Sequence, residues 1–288
     1  MTFITCGALV HATASRASAQ QSCVEARQVS WTPARPVAGA LFELRVVATP
    51  AQRAGNGLRV TLADTPLATK SVRGDSVRMF AAVPIDSTGG ATLRVECASG
   101  TALTLRVAAD SGRYRLERLR VAPAFSAPPD SALAARLASE AERAAAVSRG
   151  AIATPVLWKG AFIAPRPSRI TSGFGNGRSF NGEVLSRHMG TDYAGAVGAP
   201  IRATNRGVVR LTGSFFLGGN VVYVDHGGGI STAYLHLSRI LVSEGDTVEQ
   251  GGRLGLVGAT GRVTGPHLHF IARVGGTTVN PLSLIGKR

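Results

Sequence analysis

Gly265-Pro266-His267-Leu268-His269 is the stretch on which the reading of this chain turns. Side chains two residues apart share one face of a β-strand, so His267 and His269 present two imidazoles side by side. They stand at different heights along the strand, so one can reach a metal ion while its neighbour stays free, provided a second segment supplies more ligands. The best donor is His188-Met189-Gly190-Thr191-Asp192. Read as a strand, it aligns His188, Gly190 and Asp192 on one face, and the glycine leaves room between the two functional side chains. Two histidines and a carboxylate suit zinc with a fourth position left open.

The surrounding sequence is β-like and rich in turns. Residues 219–226 and 232–237 alternate as strands, placing His236 at a strand end. Ser172-Gly173-Phe174-Gly175 lacks the strand-to-helix setting of a dinucleotide site and reads as turn glycines, followed by a loop over 176–187. His226 precedes Gly227-Gly228-Gly229 and reads as structural; Asn220 serves either the groove, through its amide, or a plain turn. No His-Glu-x-x-His glutamate is present, so proton transfer in a metalloenzyme of this kind falls to histidines.

Taken together, His-x-Gly-x-Asp at 188–192, Gly-Asn-x-Val at 219–222, Tyr-x-His-Leu at 234–237 and Thr-Gly-x-x-Thr-Gly-Pro-His-Leu-His at 260–269 resemble the lysostaphin-like, LytM-type zinc metallopeptidases that cut peptide bonds in bacterial peptidoglycan. The resemblance covers residues 158–283. It implies an antiparallel β-sheet domain of duplicated-hybrid-motif type with a groove across the sheet. It further implies one zinc ion held by His188, Asp192 and His269. His236 and His267 would be the unligated catalytic histidines, sharing the roles of general acid/base and oxyanion stabiliser for attack by a zinc-bound water. The implied function is a zinc-dependent endopeptidase acting on peptidoglycan stem peptides or cross-bridges. Relatives of the same fold also serve as non-catalytic wall-binding modules or amidase activators, but those characteristically lack some of the five residues, and this chain has them all.

The rest of the chain of 288 residues is long enough for a second domain. Between 24 and 122, short runs rich in Val, Leu and Arg are separated by Asn56-Gly57, Gly74-Asp75, Gly89-Gly90 and Ser99-Gly100, which predicts a β-sandwich of immunoglobulin-like shape without chemistry of its own. A Pro-rich linker and an Ala-rich helix fill 123–157. The helix is expected over 131–149, with Asp130 or Ser131 as its cap, Gly150 at C′ and Leu133, Leu137 and Ala141 along one side; Arg136, Glu140, Glu142 and Arg143 fall on its solvated face. The peptidase-like domain occupies 158–288, and the fold class is mainly β.

An apolar run over 3–14, followed by Ala17-Ser18-Ala19, reads as a signal peptide spanning 1–19 and predicts export to the periplasm or cell envelope. Losing it removes His11 and Cys6 and leaves Cys23 and Cys97, a pair that suits one disulfide in an oxidising compartment or, equally in sequence terms, two buried thiols. The net charge of +15 favours contact with an extended anionic wall or membrane surface. Neither a recognition-helix signature nor a stacking-aromatic motif accompanies it, which argues against nucleic acid as a partner.

Overall fold

The computed structural model describes residues 23–53, 57–125, 128–182 and 184–287. The expected leader at 1–19, with Cys6, His11 and the Ala17-Ser18-Ala19 site, lies outside the described residues. Eight strands come first: β1 (Val29–Thr32), β2 (Leu41–Val47), β3 (Leu58–Leu62), β4 (Thr65–Pro66), β5 (Thr69–Arg73), β6 (Ser76–Ala82), β7 (Ala91–Cys97) and β8 (Ala102–Val107), with a short helix α1 (Pro50–Arg53) before β3. They form two antiparallel sheets, β1-β2-β6-β5 and β4-β3-β7-β8. Alternation decides what goes inside. Phe42, Leu44 and Val46 of β2 and Leu93 and Val95 of β7 share one core, while Arg45 and Arg94 between them point out. Cys23 and Cys97 are joined, tying the residues ahead of β1 to the end of β7.

The chain continues through β9 (Leu116–Leu119) and α2 (Ser131–Gly150) into β10 (Ile170–Ser172), β11 (Gly177–Phe180), β12 (Val184–Arg187), β13 (Thr191–Ala194), β14 (Pro200–Arg202), β15 (Gly207–Phe215) and β16 (Gly219–Gly227). The last strands are β17 (Ile230–Ile240), β18 (Thr247–Val248), β19 (Arg253–Val257), β20 (His267–Val274) and β21 (Thr277–Val279). Residues 116–119 fall inside the span assigned from sequence to the sandwich, yet β9 pairs in parallel with β11, Glu117 opposite Arg178. The Arg115 carbonyl accepts from Gly177 N–H and the Leu119 carbonyl from Asn181 N–H, which commits this segment to the C-terminal half.

Helix α2 begins as expected, with the Asp130 carboxylate accepting from Leu133 N–H at 2.8 Å. Its end differs: Gly150 is the last helical residue and Ala151, in ordinary helical conformation, caps it. The buried face also differs. Ala144 and Val147 pack among Leu211, Phe215, Val221 and Tyr223 of the large sheet. Glu140, expected in solvent, turns inward and accepts from Phe216 N–H at 3.0 and 2.9 Å, satisfying the backbone at the β15–β16 turn.

The large sheet runs β10-β13-β20-β17-β16-β15-β18, with β14 and β19 paired and joined to β17, and β21 on β20. One face buries Val222, Val224, Tyr234, Leu268 and Phe270 against Ile201, Leu254 and Val257. In β20 these alternate with His267, His269 and Ile271, which therefore face the other side. The two halves meet at an apolar joint, where Leu41, Phe80 and Ala82 of the first sandwich sheet pack on Trp158, Phe162, Ile230 and Val274.

Candidate metal centre and its groove

Strand pairing alone brings three of the predicted side chains together. Asp192 lies directly opposite His269 across the β13–β20 ladder. His188 arrives from the chain just before β13. The single strand expected over 188–192 is broken at 188–190: His188 still closes the β11–β12 hairpin, its N–H donating to Asn176 and its carbonyl accepting from Gly175, and the chain then steps across to β13. The result is that His188 Nε2 lies 3.0 Å from Asp192 Oδ1 and 3.0 Å from His269 Nδ1, and the latter two are 2.7 Å apart. A methyl at Gly190 would come 2.5 Å from His269 Cε1, so the glycine is needed for the close approach.

The outer atoms of this cluster are already engaged. His188 Nδ1–H is shared between the Gly173 carbonyl at 2.8 Å and Ser172 Oγ at 3.0 Å, which leaves the Nε2 lone pair facing inward. Arg178 donates to Asp192 Oδ2 at 2.6 Å, leaving Oδ1 for the cluster. Burial would raise the Asp192 carboxyl, but the His188 and His269 nitrogens against it outweigh burial and hold it well below the ordinary carboxylate range. Burial pushes His269 down to about 4 against the pull of Asp192. An ionised carboxylate and inward-facing imidazole nitrogens, all aimed at one point, make a donor set that fits zinc.

His236 and His267 stand beside the cluster and outside it. His267 Nε2 is 3.7 Å from Asp192 Oδ1, and the His236 and His267 ring centres are 4.9 Å apart. Each ring is pinned the same way, His236 Nδ1–H to the Thr260 carbonyl and His267 Nδ1–H to the Gly265 carbonyl, both at 2.8 Å, so Nε2 is the atom offered to the groove. His236 is not at the end of its strand. It has φ of 65°, and at this point β17 changes neighbours: Leu235 pairs with His269 of β20, Leu237 with Val257 of β19. The left-handed residue makes that switch. Asn220 secures it, its side-chain amide donating to the Leu237 carbonyl at 3.0 Å, while Thr260 Oγ also donates there and accepts from Asn220 N–H. Burial, then the facing His269 and His267, push His236 down to about 3. His226 lies apart, donating from Nδ1 to the Arg206 carbonyl and accepting at Nε2 from Thr232 Oγ, fully buried and structural.

Three functional neighbours escaped the sequence reading: Ser172, Arg178 and Glu117. Arg178 Nε donates to Glu117 at 3.1 Å, and Ser172 Oγ and Asn176 Nδ2 donate to the same carboxylate at 2.7 and 2.8 Å. Burial opposes ionisation of Glu117, and these donors overcome it and lower its pKa. The groove beside the cluster, about 700 Å³, is lined by Glu117, Arg118, Leu119 and Val121 and by the 262–267 loop.

Residues 186–281 match the sequence profile of Peptidase family M23. The chain carries an M23 peptidase domain. That domain is similar to the peptidoglycan DD-endopeptidase ShyA of Vibrio cholerae, 48% identical over 98 residues, which are 34% of this chain and 23% of that one. It is similar also to the DD-carboxypeptidase/endopeptidase Mpg of Neisseria meningitidis, 43% identical over 117 residues, 41% of this chain and 27% of that one. The chain thus covers about a quarter of the length of these two relatives. A crystal structure of a candidate M23 peptidase from Pseudomonas aeruginosa matches with a TM-score of 0.65 at 27% identity over 88% of this chain and 96% of that one, so the likeness extends past the M23 domain into the sandwich.

Proposed function

We propose that this protein is a zinc-dependent endopeptidase that hydrolyses peptide bonds in peptidoglycan stem peptides or cross-bridges. The observation that carries the reading is the meeting of His188 Nε2, Asp192 Oδ1 and His269 Nδ1 within 3.0 Å of one another at a groove that also presents two histidine Nε2 atoms. Held by His188, Asp192 and His269, zinc would supply Lewis acidity, polarising the scissile carbonyl and lowering the pKa of water towards ~7. His236 and His267 move the proton: one takes it at Nε2 from the attacking water and passes it to the leaving amine, while the other, after taking a proton from solvent at its own Nε2, donates to the developing oxyanion. Arg178 orients Asp192 through its Oδ2, and the Gly173 carbonyl fixes the tautomer of His188. The relatives named for peptidoglycan cleavage support the substrate class.

Export to the periplasm or envelope belongs to the same proposal. The Ala17-Ser18-Ala19 site and the joined Cys23 and Cys97 support it, and an intact mass that retains Met1 in the native protein would refute it. For the activity, the purified chain is incubated with peptidoglycan with and without a chelator, and the released fragments are analysed. New amino termini that vanish with chelator and return with zinc are expected. Wall binding without any cleavage, unaffected by chelator, would replace the enzyme reading with a non-catalytic binding module.

A further inference from the structure

Arg262 directly follows Thr260-Gly261 in the 260–269 stretch, and neither the metal centre nor the proton pathway uses it. Its backbone is fixed, N–H donating to the Leu217 carbonyl at 2.9 Å. Its guanidinium carbon lies over the Phe180 ring, 4.0 Å from the centroid. Burial, and then the charge of Arg178, both work against its ionisation. A half-buried cation facing another cation is costly unless an anion joins it, and none does: among the described residues no carboxylate pairs with Arg262. Among the described residues the carboxylates lining the groove are Glu117 and Asp192, and both are taken by Arg178.

Its position places it in the path of a substrate. Arg178, Phe180, His236 and Arg262 border both the larger cleft and a smaller one of about 180 Å³ that holds His188 and His269 in its wall. Arg118 and Arg169 also line the larger cleft without an ion pair among the described residues. Among the described residues the larger cleft therefore carries more guanidinium groups than carboxylates, beside the metal cluster. Stacking on Phe180 occupies the face of the Arg262 fork and leaves its edge donors for a ligand, the arrangement in which arginine takes a carboxylate through two parallel hydrogen bonds.

We propose that Arg262 is a specificity-determining residue that binds a free carboxylate carried by the substrate peptide close to the scissile amide. This rests on the peptidase reading of the site. It sets a substrate class within that reading: peptides acidic at the cleavage point are preferred over the same peptides amidated there.

The test uses the full zinc-loaded chain and two synthetic cross-linked stem-peptide dimers, one with the carboxylate adjoining the cross-link free and one with it converted to the carboxamide. Loss of a charge-assisted hydrogen-bond pair is worth roughly 10- to 100-fold, so the wild-type protein should favour the acid in kcat/KM by at least about 10-fold. In Arg262→Met that ratio should fall to within about 2-fold of unity, and Arg262→Lys should recover part of it. A role confined to covering Phe180 would leave the ratio untouched. The same ratio is read as Kd by calorimetry on the metal-free protein, where no cleavage is required, and Arg262→Gln replaces Arg262→Met if the latter fails to fold. Equal use and equal binding of the two dimers by the wild-type chain, or an undiminished ratio in Arg262→Met, overturns the proposal. Failure to cleave either dimer overturns the peptidase reading instead, while the Kd ratio still decides the role of Arg262.

Discussion

Arg178 donates to the Oδ2 of Asp192 at 2.6 Å, so the carboxylate that faces the two histidines is held from behind by a residue of β11. Arg178 is itself held by Glu117 of β9. Partners of this kind behind a metal ligand commonly account for 10- to 100-fold in metal affinity. Arg178→Ala should weaken zinc binding by about that factor and Glu117→Gln by less, since the amide keeps the shape and loses the charge. Competition against a chromogenic chelator measures both; unchanged affinity in Arg178→Ala would show that Asp192 needs no such support.

The ligand trio and the two neighbouring histidines should separate on substitution. His188→Ala, Asp192→Ala and His269→Ala are expected to lose zinc and hydrolysis together. His236→Ala and His267→Ala should keep the metal and lose about 10²-fold or more in turnover, the usual scale for acid-base groups. Metal analysis of the purified variants decides, and a His267→Ala protein without zinc beside a His269→Ala protein with it would exchange the two assignments.

Gly190→Ala tests the packing of the centre. The added methyl would meet His269 Cε1 at 2.5 Å and the Phe270 carbonyl at 2.7 Å, and the backbone atom has little freedom to yield. His269 should be displaced and zinc binding should fall sharply, while the sandwich, whose core is separate, melts as before. Zinc stoichiometry together with thermal melting monitored by circular dichroism reads the two effects, and full zinc binding by the variant would refute the steric account.

His226 sets a pH limit on stability. Burial pushes it down to about 4 in the folded chain from 6.5. Below pH 6.5 the unfolded chain binds a proton that the folded chain refuses, so this residue's contribution is complete above that pH and is lost as pH falls towards 4, by up to about 3 kcal/mol. Its imidazole resonances should stay those of the neutral ring down to pH 5 in an NMR titration. In urea unfolding, the loss of stability between pH 7 and pH 5 should be smaller in His226→Gln than in the wild type; equal losses would assign the effect to other groups.

The five candidate residues that the fold brings together were legible because each sits in a short motif whose spacing is a statement about strand faces: His267 and His269 are two apart, and Asp192 could be matched to them before any pairing was known. Thr260 was within reach as well, being part of the quoted Thr-Gly motif. Glu117 and Arg178 were not. They meet because β9 leaves the sandwich and pairs in parallel across roughly sixty residues, and no local periodicity records that. The φ of His236 was hidden for a related reason, since a strand that changes neighbours reads in sequence as one continuous alternation. Glu140 misled in the opposite direction: a charged residue on an Ala-rich helix looks solvated until the amide it satisfies, that of Phe216, is seen.

The pairing of β9 with β11 has a consequence for anyone who divides this protein. A fragment begun at Trp158 would contain every histidine and aspartate of the centre, yet it would lack Glu117 and the β9 part of the groove lining. Such a fragment is expected to hold Asp192 more loosely than the intact chain, because Arg178 loses its Glu117 partner. Exchanging the sandwich for an unrelated domain would disturb the site as well, unless the exchange leaves β9 in place, because the connecting peptide is a structural part of the groove.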